Sequence, residues 1–464
     1  MKRAIALLLV TLLAFPTASF ADGTERELGR RFFLEARAQL PLVDDPALTE
    51  YVNRLGQKLV ASLGPQEFDY QFFVIAHPAL NAFAVPGGYV FVFTGLLAKT
   101  KTDDELVGVL GHEISHVHAH HISRQQTAGQ LWSAAALAGM LLAFINPVLG
   151  AAGMAAAQTA QLKFSRDFEQ EADFLGLRIA SQSGYDPHAL GSFFKQLLVE
   201  QQLNPAGVPA YMLSHPVTQE RVAHVDSVIK AQKIPTPKGR PAASDDLAEV
   251  RAVSDAINEP PLVVIERYER LAREEPKNAE RQFLLGRVYQ TVGKMDSART
   301  ALEQARALGM GAQVDRPLGT VYIVMKRPKE GAEALTRYLA ANPDDAYSHM
   351  ELAKALTETG DNTRALTELQ RAIRLDPDLD EAQRLMGLAL GRKGEEGQGF
   401  YHLALAARQR GDLEQAYSHF ERAEPLLEQG SRQQAEVQSA MDELEPLVRE
   451  RSRLRSDRRH GLVR

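Results

Sequence analysis

The stretch "LVGVLGHEISHVHAHH" at 106–121 sets five histidines and one glutamate in an otherwise apolar run. His112 and His116 are four residues apart, and on a helix that spacing projects both imidazoles from one face, where they can share a metal ion. Glu113 follows the first of them. Its carboxylate can reach a water beside the ion without ligating it, the position of a general base in metal-assisted hydrolysis. A His116/His120 pair would also fit a shared ion, but residue 117 is valine, so the motif's glutamate is missing there. His118, His120 and His121 are therefore read as outer-sphere or solvated side chains.

Two imidazoles do not complete a catalytic metal site, and the chain contains no cysteine, so the other ligands must be His, Asp or Glu. "SRDFEQEADFLGLRIA" at 165–180 offers a candidate, with Phe168, Ala172, Leu175 and Ile179 at helical spacing. Glu169 and Asp173 share one face of that helix, and Glu171 points away from them. Glu169 is expected to ligate the ion, and Asp173 to orient a ligand imidazole through its free N–H. A solvated acidic helix face is the plainer alternative for this segment.

H-E-x-x-H at 112–116 with E-x-x-x-D at 169–173 resembles the gluzincin family that includes the CAAX prenyl proteases and the bacterial heat-shock membrane protease. "NAFAVPGGYVFVFTGLL" (81–97) and "SHPVTQERV" (214–222) resemble further segments of that family. The resemblance implies a zinc endopeptidase with one Zn2+ per chain, and it implies roles for His215 and Arg221. In soluble relatives the histidine matching His215 takes the fourth position on the zinc and silences the enzyme. In others the matching residues sit where the oxyanion forms, and imidazole chemistry permits both. The expected metal ligands are thus His112, His116, Glu169 and His215, and the expected catalytic residues are Glu113, Asp173, His215 and Arg221.

The elements that must position these residues read as a mainly α protein. An α+β zincin-like domain with a small sheet is expected at 22–232. "TERELGRRFFLEARAQL" and "DPALTEYVNRLGQKLVASL" have helical spacing, and "YQFFVIAH" and "GGYVFVFT" read as strands. Thr102 caps the motif helix, which is expected to continue through His121. "YVFVFT" (89–94) is a candidate edge strand on which an extended substrate could pair.

Residues 233–261 have linker composition near "AQKIPTPKGRPAASDD". From 262 to 445 small residues at Gly286, Gly319, Ala353 and Gly387 recur at the 33–34-residue period of tetratricopeptide helix–turn–helix units, an α-helical solenoid. A further match at 403–425 starts half a period late, so an extra element with the loop-like "GRKGEEGQG" is expected near 391–402. A basic tail is expected at 446–464.

Lys2 and Arg3 precede the apolar "AIALLLVTLLAF", and Ser19 and Ala21 end a small-residue stretch. These are the parts of a signal peptide (1–21) cleaved after Ala21, and in a cysteine-free chain they fit a Gram-negative periplasm. The Ala/Gly-rich stretch 131–157, broken at Pro147, reads as a packed hairpin able to touch a membrane surface peripherally rather than to span it. A net charge of −6 with 24% charged residues gives no bias towards nucleic acid. The resemblance implies unfolded or misfolded outer-membrane proteins as clients, and the outer-membrane β-barrel assembly machinery as a partner, with the repeats as docking surface. The competing expectation is a non-proteolytic scaffold or holdase stabilised by zinc.

Overall fold

A computed structural model describes residues 25–127, 166–203, 209–237, 244 and 246–459. The expected leader at 1–21 and the apolar stretch at 131–157 lie outside the described residues. Two compact units divide the chain, Met1–Pro261 and Leu262–Arg464.

In the first unit, α1 (Glu25–Gln39) and α2 (Pro46–Ser62) precede a three-stranded sheet of β1 (Gln71–Ile75), β2 (Ala82–Val85) and β3 (Tyr89–Phe93). Then come α3 (Thr94–Lys99), α4 (Asp103–His118), α5 (His121–Thr127), α6 (Arg166–Gln182), α7 (Ala189–Leu203), α8 (Ala210–Ser214), α9 (Gln219–Ala231) and α10 (Asp246–Asn258). Asp45 caps α2 by accepting from the Ala47 N–H at 3.0 Å, and Pro46 occupies the first helical position, where its missing N–H costs nothing.

The strand order is β1-β3-β2, with β1 parallel and β2 antiparallel to β3. The expected edge strand at 89–94 is therefore the central strand, paired on both sides, and its backbone cannot take up a substrate. Among the described residues, β2 has a strand on one side only. Alternate side chains divide the sheet between two cores. Phe83, Phe91 and Phe93 pack with Phe32 of α1, while Phe72, Val74, Val90 and Val92 pack with α2 and α4.

The motif helix α4 is buried on every side, with Leu106, Val107, Val109, Leu110 and Ile114 wholly inaccessible, as a helix through the middle of a core must be. Its acidic first turn is buried too, and each acid is bonded. Asp103 accepts from the Tyr51 hydroxyl at 2.8 Å, Asp104 from the Asp186 N–H at 2.9 Å, and Glu105 from Gln196 at 2.6 Å. The positive end of the helix dipole favours these carboxylates where they sit.

Part of the segment read as a linker is structured. In α10, Leu247, Val250 and Val253 recur at helical spacing and join the first unit's core, and Asn258 accepts a hydrogen bond from the Thr94 hydroxyl at 2.7 Å.

The second unit is helical throughout its described residues. It comprises α11 (Pro261–Glu274), α12 (Ala279–Thr291), α13 (Met295–Ala307), α14 (Asp315–Val324), α15 (Pro328–Ala341), α16 (Ala346–Thr359), α17 (Asn362–Leu375), α18 (Asp380–Lys393), α19 (Glu396–Gln409), α20 (Leu413–Ala423) and α21 (Arg432–Arg459). The small marker residues set the closeness of each hairpin: a Cβ on Gly286 would lie 2.6 Å from Leu302 Cγ, and one on Gly319 2.5 Å from Leu335 Cγ. No loop-like extra element occupies 391–402. Residues 396–409 are instead one helix that packs on both α18 and α20, closing one hairpin and opening the next. Gly399 belongs there because a side chain would meet the Gly387 carbonyl at 3.0 Å. At the C-terminal end, α21 runs through Pro446 and into the segment read as a tail.

Candidate metal centre

Four separate elements deliver the site. α4 carries His112, Glu113 and His116. α6 carries Glu169 and Asp173. His215 ends α8, and Arg221 lies in the first turn of α9, where the Thr218 hydroxyl accepts from its N–H at 3.1 Å. The approach of α4 to α6 depends on two glycines that the sequence reading did not single out. A Cβ on Gly176 would lie 2.9 Å from the His112 backbone nitrogen, and one on Gly111 3.1 Å from the Gly176 carbonyl oxygen. Gly176→Val is expected to part the two helices at a cost of about 1–3 kcal/mol. The check is the thermal unfolding midpoint with metal retention; unchanged values for both would contradict the close-packing argument.

The structure gathers His112, His116, Glu169 and His215, all buried, so that one ligand atom from each lies within 4.8 Å of the others. His112 Nε2 is 3.0 Å from His116 Nε2 and 3.3 Å from His215 Nδ1. Glu169 Oε1 is 2.9 Å from His215 Nδ1 and 3.5 Å from His116 Nε2. Donors bonded tetrahedrally at 2.0–2.2 Å stand about 3.4 Å apart, so these spacings suit a small dication. The proton inventory agrees. His112 Nδ1 lies 2.8 Å from Asp173 Oδ1, so its proton is on that side and Nε2 presents a bare lone pair to the cluster. Buried imidazole nitrogens that converge with a carboxylate around that lone pair are a site for a cation.

Electrostatics set the charge states. Burial, reinforced by the neighbouring His112 and His215, holds the His116 imidazole well below its usual pKa and therefore neutral. Burial would raise the Asp173 carboxyl, but Arg221 overrides it and brings the pKa down to about 2. Glu169 is likewise lowered against its burial, by His215 and Arg221. For His215, burial works downward, but Glu169 and Glu113 win and the pKa rises. Burial pushes the Glu113 carboxyl up. Its Oε1 faces His215 Nε2 at 3.6 Å and accepts no hydrogen bond among the described residues.

The Arg221 guanidinium is committed to holding the two carboxylates. Its Nε and Nη2 reach Asp173 at 2.7 and 2.8 Å, and Nη1 reaches Glu169 Oε2 at 2.6 Å and the Pro216 carbonyl at 3.1 Å. The Phe194 ring covers it at 4.5 Å. Tyr211, which the sequence reading passed over, is wholly buried and stacks on His215 with ring centroids 4.7 Å apart.

The three outer histidines separate. His118 is exposed, with Nδ1 3.2 Å from Gln66 Oε1. The motif helix ends at His118 rather than at His121, because His120 takes a left-handed φ of 53° and turns to Glu25 at 2.8 Å. That break returns His121 to the core, where it is fully buried against His116.

Residues 46–229 match the family model described as Peptidase family M48, and residues 317–380 match that of the tetratricopeptide repeat. The chain is 28% identical to the beta-barrel assembly-enhancing protease of Escherichia coli over 93% of this chain and 90% of that one. It is 33% identical to the mitochondrial metalloendopeptidase OMA1 of Schizosaccharomyces pombe over 38% of this chain and 52% of that one. Among solved structures, that of MamA is similar over 32% of this chain and 88% of its own, at 22% identity and a TM-score of 0.30.

Proposed function

We propose that this metalloendopeptidase, which carries an M48 peptidase domain and tetratricopeptide repeats, is a zinc enzyme of the Gram-negative periplasm that hydrolyses unfolded outer-membrane proteins and assists β-barrel assembly. The observation that carries the reading is the convergence of His112, His116, Glu169 and His215 on one point, with the carboxylate of Glu113 beside it. Three nitrogens and one carboxylate, without thiolate, are a donor set that zinc accepts. When bound, zinc supplies Lewis acidity and brings the pKa of a coordinated water towards about 7.

The residues divide the remaining work. Glu113, kept out of the donor set, takes a proton from the attacking water and delivers it to the leaving nitrogen. Its raised pKa suits a group that must hold the proton between those steps. Asp173 fixes the His112 tautomer, and Arg221 holds Asp173 and Glu169 together, so Arg221 acts as a clamp rather than an oxyanion donor. An extended substrate pairs with the side of β2 that carries no strand among the described residues, where β2 packs against the motif helix, and backbone pairing asks little of its sequence. The repeats offer a separate surface for clients and for the assembly machinery. Periplasmic placement rests on the leader-like residues at 1–21, and no helix among the described residues is long and apolar enough to cross a membrane.

His215 Nδ1 stands among the donors, where an incoming water or carbonyl would have to go, so His215 reads as a lock. His215→Ala is expected to degrade casein and a urea-unfolded outer-membrane β-barrel several-fold faster than wild type, while sparing the folded barrel. Slower cleavage would make His215 an oxyanion donor. Absence of zinc-dependent cleavage in both proteins would remove the protease reading of the site.

A further inference from the structure

His121 is the one histidine of the run that is completely buried yet stands outside the four-donor cluster. Its Nδ1 lies 3.0 Å from His116 Nδ1, and its Nε2 lies 3.2 Å from Glu171 Oε2. Arg124 donates to that same carboxylate oxygen at 2.9 Å. The His121 ring is stacked on Phe168, centroids 4.6 Å apart and planes 17° from parallel, which fixes its orientation. Glu171, which the helical wheel sends away from Glu169 and Asp173, is thus directed at a different imidazole.

We infer that Glu171 and His121 form a relay that holds His116 in its metal-binding tautomer, and that both are positioning residues for the metal site. The inference rests on the metal-centre reading. For His116 to offer the Nε2 lone pair, its ring proton must be on Nδ1. That proton points at His121 Nδ1, which must then be the acceptor. The proton of His121 is consequently on Nε2, facing the Glu171 carboxylate, which Arg124 anchors. Every link has a single proton arrangement consistent with the next.

The reverse arrangement would put an N–H on His116 Nε2, aimed into the cluster at the bare Nε2 of His112, 3.0 Å away. His112 reaches its carboxylate directly, through Asp173. His116 reaches one through an intervening imidazole, because the break at His120 lays His121, the first residue of α5, against its Nδ1. Loss of such an anchor typically weakens metal binding about 10–100-fold.

The test measures Zn2+ affinity of the full chain by competition with a chromophoric chelator, together with the visible spectrum of the Co2+-loaded protein. His121→Phe keeps the stack on Phe168 but removes the acceptor, His121→Gln returns an acceptor, and Glu171→Ala leaves His121 in place but unanchored. The Phe variant should bind Zn2+ about 10–100-fold more weakly and show an altered Co2+ spectrum. The Gln variant should recover most of the affinity, and Glu171→Ala should lose a smaller part in the same direction. Wild-type affinity and spectrum in a folded Phe variant would overturn the relay while leaving the metal site standing. If the Phe variant does not fold, Glu171→Ala decides, since wild-type affinity there overturns the relay and a loss supports it. A wild-type protein that takes up neither ion would overturn the relay and the metal reading together.

Discussion

Glu113→Gln is expected to retain one metal ion per chain and to lose about 10²–10⁴-fold in peptide hydrolysis, the usual worth of a positioned general acid–base. The substitution changes a carboxylate into an amide of nearly the same shape at a position 1% exposed. The surrounding core therefore has no cavity to collapse into and no side chain to accommodate. Glu113 is also absent from the four-donor group, so no ligand is withdrawn. What disappears is the capacity to accept a proton beside the cluster. Elemental analysis and casein cleavage on the same preparation check both halves. A metal-loaded variant that cleaves within a few-fold of wild type would exclude Glu113 as the base. The same experiment separates the enzyme from a scaffold that keeps a metal for stability, since a scaffold loses nothing when the base is changed.

Glu169→Gln is expected to fail at an earlier step. Its carboxylate is the anionic member of the donor group, and it also meets Arg221 at 2.6 Å and His215 at 2.9 Å in a region nine-tenths or more buried. Removing its charge deprives a dication of a ligand and leaves Arg221 balanced by Asp173 alone. Breaking a buried pair by removing one partner costs up to about 3–5 kcal/mol. The expected result is cleavage reduced to background, metal affinity lowered by more than the 10–100-fold typical of outer-shell changes, and a lower unfolding midpoint. Added zinc in large excess should restore part of the cleavage. Chelation titrations with circular dichroism follow both quantities, and a variant that holds its metal as wild type does would remove Glu169 from the ligand set.

Much of this site was legible in the chain because helical periodicity turns spacing into direction. His112 and His116, and Glu169 and Asp173, are each four apart on one helix, so their side chains had to emerge together. That these two helices meet was expected from the donors they share, but how closely they approach was not legible, since it turns on Gly111 and Gly176, and a glycine's value lies in what approaches it. His121 was read as outer-sphere or solvated, and its burial against His116 was not legible for a definite reason: a helical wheel assumes an unbroken helix, and His120 breaks it with a positive φ that few residues other than glycine adopt. The sheet failed differently. β2 is only four residues long, and without it the parallel pairing of β1 with β3 leaves Tyr89–Phe93 looking like an edge.

In the repeats the period marked Gly286 and Gly319 as recurring positions, whereas Gly397 and Gly399 read as loop. There the same chemistry operates inside α19, where a side chain on Gly397 would meet the Leu426 carbonyl oxygen at 2.7 Å. Composition alone cannot separate a glycine that frees a turn from one that lets two helices touch.

The ion itself gives the most direct test. Diffraction from crystals of the zinc-loaded protein, collected on either side of the zinc absorption edge, locates it without reference to activity. One anomalous peak per chain is expected, about 2.0–2.2 Å from Nε2 of His112, Nε2 of His116 and a carboxylate oxygen of Glu169. A fully loaded crystal with no peak among those three side chains, or with its peak held by other residues, would contradict it.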